Sequence, residues 1–365
     1  MLFHHPKVDP SYYSFDKSTN DLLSVYFDAD YPDVQIINAE HPQSKWLPQL
    51  FSVFNGDTVN ITSSTKDNEL MVVQVEGDKT PKQFHLFNSK EKKMDYLLNS
   101  RSWIAPKEMS EVRPIEFTDR DGLKLHGYFT LPNDISKDVP LIVMPHGGPH
   151  GPRDFWKYNL TVQFLASLGY AVLQVNFRGS GGYGVGFEEM GHREWGNKIQ
   201  LDIIDATHWA QKQKHITKNK TCILGAYFGG YSALMAPTIA PESYQCAIGF
   251  VGVYDLALLF EEGDTSTVRF GQNYLLEVLG DDKKELAKYS PVAQVEKLQL
   301  PILLVHGEKD HRADFEHFEL MKVALEKHDK DFDSLVFDEE GHGIRSEDNR
   351  AIYFSKVEDF SLKHL

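Results

Sequence analysis

The chain has 365 residues, 41% of them hydrophobic and 25% charged, and a formal charge of −15 at pH 7. That balance suits a soluble globular protein with room for one large α/β domain and a smaller unit, and excludes a disordered or fibrous one. The acidic excess, with no basic run to offset it, argues against nucleic acid or an anionic membrane as partner, and no stretch approaches the about 20 apolar residues of a membrane-spanning helix.

The start, Met1-Leu2-Phe3-His4-His5-Pro6, lacks a basic region followed by an apolar run, so no secretory signal is read there. The expected setting is a soluble one, with cytoplasm and periplasm both open. From about Tyr12 to Trp103 the pattern is short β-prone segments broken by turns: YYSFD, LLSVYF, VQIIN, TVNITS, LMVVQVE, QFHLFN and MDYLLNS. This part reads as all β, built from blade-like hairpins, and two or three blades cannot close a propeller. Exposed blade edges invite self-association, so a homo-oligomer is expected. The boundary is placed at residue 110, with partial propeller-like blades over 1–110 and a second domain over 111–365.

The second domain opens with the hairpin FTDRDGLKLHGYFTLP. Apolar runs of strand length then alternate with amphipathic stretches: LIVMPHGG, FWKYNLTVQFLASLG, YAVLQVNF, the segment from Asn197 to Lys214, TCILG, YSALMAPTIA, CAIGFVG, PILLVHG, FEHFELMKVALEK, SLVFD and a C-terminal amphipathic segment. Strands that are apolar throughout must be covered on both faces, and connections of this length accommodate helical crossovers, so a doubly wound, mostly parallel sheet is expected. Cys222 and Cys246 each fall in an apolar strand-like run outside any metal-site spacing and are expected as buried free thiols. No spacing implies a metal or organic cofactor.

The chemistry concentrates at TCILGAYFGGYSAL, where a buried strand runs through small residues directly into a helix. In α/β-hydrolases such a sharp turn presents a nucleophile, and flanking glycines are needed because the tight backbone leaves no room for Cβ atoms. Gly225-Ala226-Tyr227-Phe228-Gly229 fits the G-x-S-x-G frame except at its centre, where Tyr227 stands. The acid should follow and the histidine come last. Asp310, just beyond the strand PILLVHG, is the candidate acid, with Asp255 and Asp314 as rivals, and His342, in a glycine-flanked loop after the last strand, is the candidate base. Upstream, PHGGPHG supplies Gly147 and Gly148 as oxyanion-hole candidates, together with the backbone N–H of Phe228. His146 and Arg178 read as scaffold residues.

In the order HGGPHG, NFRGSGGYGVGF, REWGNKIQLDIIDATHW, GAYFGGYSAL, HGEKD and GHGIRSEDNR, the region from about Val139 to Leu365 resembles the peptidase family that contains prolyl oligopeptidase, dipeptidyl peptidases and acylaminoacyl peptidases. The resemblance implies an α/β-hydrolase domain preceded by a small all-β remnant of a β-propeller, and a Ser-Asp-His acyl-transfer triad acting on a peptide or small ester. Carried over by position, it makes Asp310 and His342 triad members and puts Tyr227 where serine is expected. His311-Arg312-Ala313 departs from the apolar valine that often follows the acid. The resemblance does not extend an amino-group anchor to Glu188 or Glu189.

A tyrosine hydroxyl lies a ring's length beyond a serine Oγ, too far to share the same base and oxyanion donors within the roughly 2.6–3.2 Å that proton transfer needs. The expectation is a serine hydrolase of peptidase or esterase type whose turnover is impaired at Tyr227. A second reading, from a different class, is a pseudohydrolase serving as a binding or scaffold protein with the ring plugging the old site.

Overall fold

The computed structural model describes residues 3–365. Its first part holds two antiparallel sheets. Strands β1 (Pro10–Phe15), β2 (Leu22–Asp28) and β3 (Pro32–Ile36) form one, in sequence order, and β4 (Thr58–Ser64), β5 (Leu70–Glu76), β6 (Gln83–Asn88) and β7 (Lys93–Asn99) form the other. Alternation along β5 buries Met71, Val73 and Val75 and leaves Leu70, Val72 and Gln74 half-buried on the opposite face, which is the period-two pattern of a sheet packed on one side.

The sheets of this part are linked by one helix. Helix α1 (Pro42–Val53) connects the two sheets, capped by the His41 ring accepting from the Gln43 N–H, and it packs Leu47 and Leu50 against Val59, Met71 and Val73. Pro42 occupies the first turn, where a missing N–H costs nothing.

An eight-stranded sheet follows. Strands β8 (Val112–Thr118) and β9 (Lys124–Thr130) form an antiparallel hairpin at one edge, and β10 (Val139–Val143), β11 (Ala171–Asn176), β12 (Ile216–Ala226), β13 (Cys246–Phe250), β14 (Ile302–Gly307) and β15 (Phe332–Phe337) are mutually parallel. The order is β15-β14-β13-β12-β10-β11-β9-β8. The chain thus crosses from β10 out to β11 and back past it to β12, and the reversal of winding leaves a crevice at the strand carboxyl ends where ligands settle in open α/β sheets.

The crossovers are helical: α2 (Leu160–Ser167), the short α3 (Val185–Glu189), α4 (Lys198–Gln211), α5 (Phe228–Ile239), α6 (Arg269–Val278), α7 (Lys283–Lys288), α8 (Glu316–Lys327) and α9 (Glu347–His364). Consecutive strand residues feed opposite sides of the sheet. Leu141, Val143, Ile223 and Leu304 join α4, α5 and α8 in one core, whereas Ile142, Leu224, Leu303 and Val305 join α2 and α9 in the other. Burial on both faces is why these strands are apolar at nearly every position. The architecture is that of an α/β-hydrolase, with the antiparallel sheets preceding it in the chain.

The expected free thiols are a correction. Cys222 and Cys246 are register partners on the parallel neighbours β12 and β13, on the α2/α9 side of the sheet, and are joined as a disulfide. Neither strand's pattern reveals register, so the sequence could not pair them.

Candidate active site

Strand β12 ends at Ala226 and α5 begins at Phe228, leaving Tyr227 alone at the turn with φ 60° and ψ −120°. For a residue with a Cβ that conformation is strained and persists only where the surroundings enforce it. They do so through two glycines. A Cβ on Gly225 would lie 2.1 Å from the Gly229 carbonyl oxygen, and one on Gly229 would lie 2.1 Å from the Pro145 carbonyl oxygen. The strand, the helix start and the end of β10 therefore meet at backbone contact. The Tyr227 N–H donates to the Phe250 carbonyl at 3.0 Å, tying the turn to β13.

Asp310 follows β14 and His342 follows β15, so both loops open at the same sheet end as Tyr227. The His342 Nδ1–H donates to Asp310 Oδ2 at 2.8 Å and to Oδ1 at 3.0 Å. Oδ1 also accepts from the Arg312 and Ala313 N–H groups at 2.8 and 3.1 Å. Burial pushes the Asp310 carboxyl up, but the hydrogen bonds from His342 and the Arg312 N–H outweigh it and hold the pKa below the usual range. A carboxylate so held fixes the imidazole with Nε2 free of the proton. The rival acids are elsewhere engaged: Asp255 accepts from the Ala257 N–H and Asp314 from that of Glu316.

The Tyr227 ring lies over the His342 ring, with centroids 4.2 Å apart and planes at 33°. The ring also approaches Gly147, where a Cβ would stand 2.7 Å from Tyr227 Cδ2. Its hydroxyl points past the imidazole to the His342 backbone carbonyl, at 3.5 Å. Burial raises the phenol pKa and the charge of Asp310 raises it further, with Arg312 opposing, so the hydroxyl stays protonated at neutral pH.

Gly147, Gly148, Phe228, Tyr227 and His342 line one cavity of about 640 Å³. Phe228 opens α5, so its N–H belongs to the first turn and has no intrahelical acceptor. All six residues singled out in the sequence thus converge here, Asp310 from behind His342. His146 donates from Nδ1 to the Gly147 carbonyl and meets Ser180 Oγ through Nε2, both at 2.7 Å, and burial lowers its pKa to about 4, so it remains neutral and braces the loop. Arg178 is buried and paired with Asp202 and Asp119 at 2.7 and 2.6 Å.

Sequence reasoning missed the cavity's other walls, among them Arg153, Trp195, Tyr274 and Arg312. It also missed Glu340, whose carboxylate accepts from the Arg345 and Ser346 N–H groups and from Asn349 Nδ2, each at 2.9 Å, and whose carbonyl accepts from the Lys309 N–H at 2.9 Å. Glu340 thereby joins the His342 loop to the start of α9 and to the Asp310 loop. The only available signal was proximity: Arg312 is two residues after Asp310 and Glu340 two before His342.

Comparison with known proteins bears on the fold and the family. The chain is 29% identical over 350 residues to dipeptidyl aminopeptidase BIII of Pseudoxanthomonas mexicana, covering 90% of this chain and 50% of that protein. It is 27% identical over 342 residues to dipeptidyl peptidase family member 6 of Caenorhabditis elegans, covering 86% and 46%. The chain thus spans about half the length of the curated relatives it matches. Among solved structures, acylaminoacyl peptidase of Pyrococcus horikoshii superposes with a TM-score of 0.78 at 21% identity, over 98% of this chain and 56% of the other, which bears on the fold. The model of the prolyl oligopeptidase family matches residues 156–365, more than half of the sequence and the whole stretch from the elbow to the histidine loop, so the chain belongs to the prolyl oligopeptidase family of serine peptidases.

Proposed function

We propose that the chain carries the acyl-transfer site of a peptidase or esterase of this family, with Asp310 and His342 as acid and base, Gly147, Gly148 and Phe228 around the oxyanion position, and Tyr227 at the nucleophile position closing the site to turnover. The observation that carries the reading is the close approach of the phenol ring to both Gly147 and His342. A reacting carbonyl needs that space, because it must lie about 3 Å from the nucleophile and from the oxyanion donors together. The ring fills it. A protonated phenol aimed at a backbone carbonyl cannot pass its proton to the imidazole, so it does not substitute for a serine hydroxyl.

Peptides or small esters are the substrates this site suits once a short hydroxyl stands at the turn. Restoring it is the test. Tyr227→Ser should raise the hydrolysis of p-nitrophenyl esters and aminoacyl p-nitroanilides at least about 10³-fold over the parent, the scale on which loss of a triad member acts, and a serine-directed phosphonate should label the variant alone. Equal activity in the two proteins, or an acyl adduct on Tyr227, defeats the proposal.

The second reading, a binding protein derived from a hydrolase, is favoured by one observation: a cavity of about 640 Å³ stays open beside the Tyr227 ring. That volume is in the range of small-molecule sites.

A further inference from the structure

A second histidine lies beneath the acid loop. His306 is the last residue but one of β14, four residues before Asp310, and it is fully buried. Its ring packs against those of Phe315 and Phe318, with centroids 5.8 and 6.0 Å away. Burial lowers its pKa against the opposing pull of the Ala313 carbonyl and Asp310, so the imidazole is neutral at neutral pH and carries a single N–H. Nε2 lies 2.8 Å from the Ala313 carbonyl oxygen, which can only accept, and buried Nδ1 has no partner. The proton therefore sits on Nε2.

Ala313 is the residue whose own N–H donates to Asp310 Oδ1 at 3.1 Å. Its carbonyl is thus tied to the strand and its N–H to the carboxylate. His306 Nε2 also lies 3.6 Å from Asp310 Oδ2, the oxygen that the His342 Nδ1–H reaches at 2.8 Å. That distance is too long for a hydrogen bond, but it sets the positive end of a buried N–H dipole beside the charge. On its outer side the loop is held by the Asp264 N–H on the His311 carbonyl at 2.6 Å, and by the pairing of Arg312 with Asp264. That ion pair is exposed, where such pairs contribute little. The inner tie is buried, where a carbonyl left without its donor is costly.

We propose that His306 is a positioning residue for the acid–base pair: by donating from Nε2 to the Ala313 carbonyl it fixes the acid loop, so that Asp310 keeps His342 in the Nδ1–H tautomer. The proposal rests on the reading of Asp310 and His342 as acid and base.

The test is nitrogen-15 NMR of the histidine-labelled full chain at about pH 8, where ordinary imidazoles are neutral and ring shifts report the tautomer. Signals are assigned by their loss in His306→Gln and His342→Gln. In the parent protein His306 should carry its proton on Nε2 and His342 on Nδ1. His306→Leu should lower the ratio of Nδ1–H to Nε2–H tautomer at His342 at least about fivefold, the factor that one ordinary hydrogen bond carries. His306→Gln, whose side-chain NH₂ can reach the same carbonyl, should keep most of it. An unchanged ratio in His306→Leu, an equal loss in His306→Gln, or a proton on Nδ1 of His306 in the parent overturns the proposal. The last of these needs no variant at the core position, so it decides even where His306→Leu fails to fold. Asp310→Asn separates the two readings: a His342 tautomer indifferent to that change defeats the pairing of acid and base itself, whereas one that responds to Asp310→Asn but not to His306→Leu defeats the role of His306 alone.

Discussion

Glu340 shows how much one side chain organises the histidine loop. Its carboxylate takes three N–H donors at the N-terminus of α9 while its own carbonyl holds Lys309. The Arg345 N–H, Asn349 and the Ser346 N–H hold its pKa below the usual carboxylate range, and the helix start favours negative charge there. A depressed carboxyl stabilises the fold above its unfolded pKa, about 4.3, and that contribution is lost as pH falls through the lower folded value. Glu340→Gln should therefore cost roughly 1–3 kcal/mol at pH 7, since an amide NH₂ must now face N–H donors. The difference from the parent in urea unfolding should narrow below about pH 4. A difference that does not change with pH would show that the charge of Glu340 contributes nothing.

At the scale of elements, the junction of β12 with α5 depends on backbone contact. A Cβ on Gly229 would sit 2.1 Å from the Pro145 carbonyl oxygen, and no flexible side chain is there to yield. Gly229→Ala should lower stability by at least about 1–3 kcal/mol, as overpacking of a filled interior does, with a matching fall in Tm. Gly186→Ala in α3, where a Cβ meets nothing within 4 Å, should leave Tm unchanged or slightly raised. Equal Tm values for the two variants would mean that the turn has room to relax.

The same contacts explain what the sequence made legible. Close approach demands glycine, and burial on both faces demands unbroken apolar strands, so the elbow around Tyr227 and strands such as Ile302–Gly307 announce themselves. Asp310 and His342 follow because each ends a recognisable strand. Helix α1 did not, since Pro48 lies inside it and proline ordinarily ends a helix. The helices between β13 and β14 also escaped notice. Helix α6 buries only Gly271, Leu275 and Val278, a core-facing stripe too short to stand out as an apolar run in the sequence. Arg153 and Arg312 were unreadable as cavity residues because their roles depend on which loops meet across the sheet end, and the pairing of Cys222 with Cys246 depends on register in the same way.

At the scale of the molecule, the blade-like sheets are joined to the hydrolase part by a small buried polar network centred on α2. Gln163 is 4% exposed. Its Oε1 accepts from the Ser110 N–H at 2.8 Å, and its Nε2 donates to the Ser110 and Asp78 carbonyls at 2.9 and 3.1 Å. Asp78 in turn accepts from the Val112 N–H through Oδ2 at 2.8 Å, so the turn between β5 and β6, the connecting segment and the first hydrolase strand converge on one amide. Methionine matches the shape of glutamine but would strand three buried backbone groups, each costing about 1–3 kcal/mol when unpaired. These groups sit where the two parts meet, so Gln163→Met should loosen the blades selectively. In hydrogen exchange, protection over residues 58–99 should fall while strands β12 to β14 keep theirs, because their hydrogen bonds and core lie outside this network. Uniform loss of protection across both regions would instead make the whole chain one cooperative unit, in which the N-terminal sheets are stabilised by the hydrolase core rather than merely attached to it.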